Sequence, residues 1–419
     1  MTEVKHQYQP IWATPVDLQK GVIEVRNENF FVPLDNYMMR WTVLSDGEPV
    51  QSGIVTDLDI APRATKQFTL PYVVPEGDSE VLLNVEFVTL KENQQVPAGY
   101  TQASNQLTIR DYKFGDVAAA PAENLKPVKA DDSNKNRMVV TGQDFDVEFD
   151  RETGFIVKYE VKGTQMLKAD GAITPNFWRA PTDNDYGADL GKKWAVWRHP
   201  EMKLESLTCQ QNGASVEVKA SYAMPQVKSA YAISYIIAPD GSIEIDAALT
   251  PDKDAKDMPD LFRFGLQIQM PELMDYSTFY GRGPVENYPD RKTGTFLGKY
   301  TMKAADQAYP YIRPQETGTK SDMRCWLQAN KGGRGLMVTS SQPFYASATN
   351  YSIESLDNGA KKTQRHFQEV KPVNYVNLLI DSAHMGVGGV LSWGAMPLDE
   401  YLLPFGKEYR LHLLLQPNF

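Results

Sequence analysis

Apolar and polar positions alternate along most of this chain with a period of two. That period puts one face of a strand into a core and leaves the other wet. Met39, Trp41 and Val43 are separated by Arg40 and Thr42, and Phe145, Val147 and Phe149 by Asp146 and Glu148. The pattern predicts strands over 22–25, 39–43, 54–55, 68–70, 81–90 and 107–109, with a hairpin turn at Asp46-Gly47. These runs recur at roughly the 8–12-residue spacing of a β-sandwich, separated by Gly, Pro, Asn and Asp. Patterning then lapses: from Asp116 to Arg137 the chain is rich in Ala, Pro, Lys and Asp and has no apolar period, which reads as a linker. It restarts at Met138. Strands are predicted over 145–149 and 156–161 about the turn Glu152-Thr153-Gly154, another begins at Val216, and 231–237 with 243–245 form a hairpin about Pro239-Asp240-Gly241. Helical periodicity is scarce; 304–308 is one short turn at most.

The expected fold class is therefore all-β. Residues 1–115 are about the size of one immunoglobulin-like sandwich, 116–137 are the linker, and 138–419 are a larger β-sandwich. A chain of 419 residues exceeds the ~100–200 residues of one domain, which agrees with this division. Forty-three Lys and Arg against 53 Asp and Glu give a net charge of -10, so neither nucleic acid nor an anionic membrane is an expected partner. No run approaches the ~20 apolar residues of a spanning helix. The start, MTEVKHQYQP, lacks the apolar core of a signal peptide. Two cysteines, Cys209 and Cys325, exclude a disulfide scaffold.

Candidate chemistry is sparse. Five scattered histidines offer no zinc spacing. Asp183-Asn184-Asp185 before Gly187 lacks the later ligands of a calcium loop and reads as a turn whose side chains bond their own backbone. Gly386-Val387-Gly388-Gly389 has no Lys-Ser/Thr after it, so a phosphate cradle is not expected. There is no G-x-S-x-G, and neither cysteine stands in a motif. Glycoside hydrolysis needs two carboxyl groups flanking the scissile bond. Glu286 stands out, in GRGPVENYPDR (281–291), but no second carboxylate stands beside it. The segment reads rather as an internal network, with Arg282 or Arg291 bonded to Glu286 or Asp290. Trp178, Trp194 and Trp197 cluster around NFWRAPTDNDYG (176–187), where core packing is the default. Trp393 follows the glycine-rich stretch, which could project it into a groove to stack on the C–H face of a sugar; core packing is equally open there.

Segment 176–187 resembles the R-A-P-x-D-N-D-x-G signature of the large β-galactosidases, glycoside hydrolase family 2. Segment 281–291 resembles their G-x-G-P-x-E-N-Y-P-D-R, and 381–393 (DSAHMGVGGVLSW) their D-x-x-H-M-G-x-G-G-x-x-S-W. Glu3-Val4-Lys5-His6-Gln7 resembles the stretch that leaves the catalytic barrel, and Asp35-Asn36-Tyr37 and Trp41 resemble the sandwich that follows. The matches stand in family order from residue 3 to residue 393. The resemblance implies the last two of five domains: an immunoglobulin-like sandwich, then a galactose-mutarotase-like β-supersandwich. The acid/base and nucleophile Glu belong to a (β/α)₈ barrel with no counterpart here, so it assigns this chain no catalytic residue. It implies that Trp393 walls the sugar beyond the galactosyl unit and that Gly187 starts a loop over the active site. Residues 188–192 depart from the family loop. Arg179, Asp183, Asn184, Asp185, Glu286, Asn287, Asp290, Arg291 and His384 take structural roles.

No cofactor or metal is implied in this chain; the family's Mg and Na are bound mainly by other domains. The implied partners are a β-galactoside or acceptor sugar and the barrel domain or large subunit, in an oligomer, in the cytoplasm or periplasm of a bacterium. A free-standing carbohydrate-binding module is the alternative. A mutarotase is a third reading, which would need His384 as acid and Glu286 as base facing one cleft.

Overall fold

The computed structural model describes residues 1–92, 94–118, 125–389, 391 and 393–419. It is nearly all β-structure and divides into two compact units: residues 1–113 with 292–299, and residues 114–291 with 300–419.

The first unit is a sandwich of two antiparallel sheets. Ile11–Asp17, Val22–Asn27 and Thr65–Thr69 form one; Glu48–Val55, Tyr37–Ser45, Val81–Thr89 and Thr101–Arg110, in that order, form the other. The alternating residues Met39, Trp41 and Val43 point into a core with Ile23, Val25, Val85 and Phe87. Asp46 and Gly47 both adopt positive φ, 46° and 80°, the handedness that suits a tight hairpin. The segment resembling the barrel exit is a short helix, Thr2–Gln7. Residues 292–299 enter this unit from far along the chain. Gly294 N donates to Glu3 Oε2 at 2.8 Å, and the Gln106 side chain bonds both the N–H and the C=O of Leu297 at 2.8 Å. Leu297 packs with Leu44 and Leu82.

The second unit is a larger sandwich. One sheet runs Arg137–Thr141, Phe145–Asp150, Ile156–Val161, Ile173–Asn176, Arg263–Pro271, Tyr375–His384, Gly335–Thr349, Lys320–Ala329 and Tyr276–Gly283. The other runs Lys203–Asn212, Ser215–Met224, Ser229–Ile237, Ile243–Pro251 and Tyr409–Asn418. Strand Gly335–Thr349 belongs to both. Its first residues pair with Tyr409–Asn418 and its last with Tyr375–His384. Rings from the two sheets meet between them, as in Phe149–Tyr235 at 5.1 Å and Phe264–Tyr409 at 6.0 Å.

The linker reading of 116–137 needs correction at its C-terminal end. Val128 is buried, and Lys129–Asp131 is a strand paired with Arg137–Thr141. All three strand residues are exposed, so this edge strand carries no alternation to read. Residues 119–124 of that stretch lie outside the described residues.

Candidate functional site

Three sequence-distant segments of the second unit meet in one hydrogen-bonded platform. In the first, Thr182 caps the helical turn Asp183–Gly187: its hydroxyl accepts from Asp185 N at 3.1 Å, while Asp185 Oδ2 accepts from Thr182 N at 2.8 Å. This reciprocal cap, and not a bend closed by Asx side chains, is the local structure of the Asp-rich run. Asp185 also grips the fully buried Arg179, whose Nε and Nη2 reach its two oxygens at 3.1 and 2.8 Å. With its charge satisfied, Arg179 spends its remaining donors on the third segment, the carbonyls of Met385 at 2.8 Å and Gly386 at 2.9 Å. Asn184 Nδ2 adds a bond to Val387 O at 3.1 Å.

The second segment closes the platform from the opposite side. Asp290 accepts from Val387 N at 3.1 Å and Gly388 N at 2.6 Å. A Cβ on Gly386 or Gly388 would come within 2.8 Å of the Asp290 carboxylate, so the glycines are what let the backbone approach it. Beyond them, Gly394 has φ 113°, and a Cβ there would lie 3.1 Å from Gly187 O. The turn carrying Trp393 therefore rests on Gly187, and the Trp393 side chain stands 89% exposed. The two positions that the resemblance links to an active site, Gly187 and Trp393, are neighbours here. Positions 390 and 392 of the DSAHMGVGGVLSW segment lie outside the described residues.

The chain after Gly187 turns into the short helix Leu190–Lys193 and a 3₁₀ turn Ala195–Trp197. Trp194 and Trp178 both pack on Phe262 with centroids 4.9 Å away, and Trp197 is fully buried. This tryptophan cluster is core. Asp183 faces outward and pairs with Arg313 at 3.2 Å and Lys362 at 3.1 Å.

Glu286 is saturated. Arg291 Nη2 donates to it at 2.5 Å, Gly318 N at 2.8 Å and Thr317 Oγ1 at 3.0 Å, and the Tyr311 hydroxyl bonds it as well. Asn287 is completely buried and staples the turn: its amide donates to Arg282 O and Val285 O at 3.1 Å and accepts from Ser321 N at 2.9 Å. Arg282 pairs with Asp322 at 2.6 Å.

His384 is buried elsewhere, against Glu316. Its Nε2 is 3.7 Å from Glu316 Oε1, and Nδ1 is 2.8 Å from Met385 O. Arg263 binds Asp381 through Nε at 3.0 Å and Nη2 at 2.5 Å, and reaches Glu316 at 3.4 Å. Burial alone would raise the Glu316 pKa, but Arg263, His384 and Thr319 outweigh it and hold the carboxyl down at about 2. Glu286 and His384 therefore share no open cleft as acid and base, and the mutarotase pairing fails on geometry. Among the described residues no group of three or more His, Cys, Asp or Glu is placed to hold a metal ion.

Sequence reading missed Arg263, Tyr311, the run 316–319 and Lys320. Lys320 is fully buried, with Nζ bonded to Gln307 Oε1 and Gly318 O at 2.9 Å each. Burial pushes its pKa down to about 7 against a modest upward pull from Glu286. A polar run without period looks like a loop, so nothing in 315–321 signalled a buried network.

Comparison with known proteins bears on what this platform belongs to. Residues 141–415 match the family model described as β-galactosidase small chain, and residues 23–110 that described as β-galactosidase, domain 4. A β-galactosidase of Priestia megaterium is 31% identical over 422 residues, covering 100% of this chain and 39% of its own length. One from Lactobacillus delbrueckii subsp. bulgaricus is 30% identical, covering 96% of this chain and 38% of its own. The chain thus spans less than two-fifths of the length of these curated relatives. A solved structure of a putative mutarotase from Salmonella typhimurium overlays 70% of this chain and 94% of its own at 10% identity. Its TM-score of 0.36 is too low to carry an argument. No helix among the described residues is long and apolar enough to cross a membrane. The family model spans well over half of the sequence, and on that ground the chain belongs to the β-galactosidase small-chain family.

Proposed function

We propose that this chain is the C-terminal part of a β-galactosidase acting on terminal β-D-galactosides such as lactose. The rest of that enzyme, including the barrel with both catalytic carboxylates and the Mg and Na sites, lies outside the sequence. The chain's own contribution is a wall for the sugar beyond galactose, and Trp393 is its contact. One observation carries this reading: an indole stands 89% exposed, next to a glycine that approaches Gly187, a few residues beyond the loop 385–388 that Arg179 and Asp290 hold. Burying it would be the ordinary outcome for so large an apolar side chain, and its exposure suits stacking against a sugar face. Gly187, against which the Trp393 turn rests, starts the segment that would lie over bound substrate.

The chain alone is expected to be inactive, because glycoside hydrolysis requires both carboxylates and Glu286 is consumed by its four partners. The test is hydrolysis of a chromogenic β-galactoside by the purified chain, alone and mixed with a separately made chain carrying the missing domains. Activity should appear only in the mixture. Turnover by the chain alone that persists through repurification would overturn the assignment.

A further inference from the structure

The larger unit holds a cavity of about 620 Å³ that shares no lining residue with the Trp393 platform. It lies between the end of strand Ile173–Asn176, the turn 197–202 and the loop 353–359. Its volume is that of a small-molecule site, roughly 300–1,000 Å³.

Three residues of its lining carry buried N–H groups with no hydrogen-bond acceptor: Asn176 through Nδ2, Asn358 through Nδ2 and Arg198 through Nε and Nη2. Asn176 is only 7% exposed, and its amide is oriented because Oδ1 accepts from Trp178 N at 3.1 Å. Native proteins pair nearly all such donors, so unpaired ones on three residues of one cavity wall call for oxygen acceptors from outside the chain. The charges in the wall are already matched. Asp357 Oδ2 accepts from Trp178 Nε1 at 2.8 Å and lies 2.5 Å from Arg198 Nη2 as an ion pair, and Asp357 Oδ1 accepts from Gly359 N at 2.7 Å. The further carboxylate, Glu354, is exposed and would repel an anion. Phe155 supplies the accessible aromatic lining, with the core rings of Trp178 and Trp197 behind the wall.

We infer that this cavity binds a neutral saccharide. Hydroxyl oxygens would accept from Asn176, Asn358 and Arg198, while a C–H face meets the Phe155 ring. Arg198 is already matched by Asp357 and Glu354 adds a negative charge, which disfavours phosphate and carboxylate ligands although the exposed His199 also lines the cavity. This site would be a second sugar site on the chain, and it does not depend on the role proposed for Trp393.

The test is saturation-transfer NMR on the 419-residue chain with lactose, maltose and cellobiose, followed by titration of any that bind. At least one should bind with a dissociation constant of about 1 mM. Affinity should fall about tenfold in Asn358→Ala, which loses one donor. Binding at this cavity is the part that persists in Trp393→Ala, which removes the sugar contact proposed above. If Asn358→Ala does not fold, hydrogen exchange on the unaltered chain decides: the sugar should slow exchange over 197–202 and 353–359. Three results would each overturn the inference. One is no saturation transfer from any of the sugars. Another is binding abolished by Trp393→Ala or indifferent to Asn358→Ala. The third is inorganic phosphate competing at the same residues.

Discussion

Trp393 and Lys320 are inverted relative to their residue types: a large apolar ring lies in water and an ammonium lies in a core. A buried Trp cut to Ala costs ~3–5 kcal/mol. At 89% exposure, Trp393→Ala should move stability by less than about 1 kcal/mol. Thermal melting of the chain checks this, and a large fall in melting temperature would make Trp393 a packing residue. Lys320 makes the opposite prediction. Its folded pKa, about 7, lies below the ordinary value of 10.5. Between those values the unfolded chain binds the extra proton, so stability must rise with pH across that window. Lys320→Met should flatten the rise between pH 7 and about 9.5, below the range where unfolded tyrosines ionise. Urea midpoints of both proteins at the two pH values measure it; an equal slope in the variant would place the proton uptake elsewhere. The dense motif 281–291 made an internal Arg–carboxylate pairing legible but left open which partners form it; the structure pairs Arg291 with Glu286. It could not show Tyr311, Thr317 or Gly318, which reach Glu286 only through tertiary folding.

At the scale of elements, strands were legible where one face is buried and the other wet. Phe145–Asp150 buries alternate residues without exception. Ile11–Asp17 went unread because Pro15 interrupts it and burial is confined to its first residues. The helical turn Asp183–Gly187 was misread although its signal was present: Thr182 followed three residues later by an acidic side chain is a cap pattern. The loop 385–388 shows how such elements become a support. It has no ladder of its own and is held by Arg179 from one side and Asp290 from the other. Asp290→Ala removes the acceptor of two part-buried N–H groups and should cost about 1–3 kcal/mol locally. Amide exchange at Val387 and Gly388 should accelerate while strand Gly335–Thr349 stays protected. Acceleration of both together would mean that Asp290 supports the whole sandwich and not this loop.

At the scale of the molecule, composition suggested a linker over 116–137, whereas the units divide between Lys113 and Phe114, and no local pattern could show that residues 292–299 belong to the first unit. That return changes what a break in the seam does. The change of unit falls between Lys113 and Phe114, and the Ala-rich, unpatterned sequence from Ala118 onward is, by composition, a natural protease target. Trypsin suits it poorly, since Lys126 precedes Pro127. Elastase, which cuts after alanine, should nick there first. The two fragments should nevertheless elute together under native conditions. Residues 292–299 would remain covalently in the larger fragment while Gln106, Glu3, Leu44 and Leu82 of the smaller one continue to bind them. Separation should require denaturant. A Gln106→Ala, Leu297→Ala double variant, which removes both backbone bonds and the buried leucine, should release the nicked fragments under much milder conditions. Size-exclusion chromatography of the nicked protein, with and without the double substitution, reads both outcomes. Native separation of the unaltered fragments would show that residues 292–299 are a surface return and not part of what holds the first sandwich together.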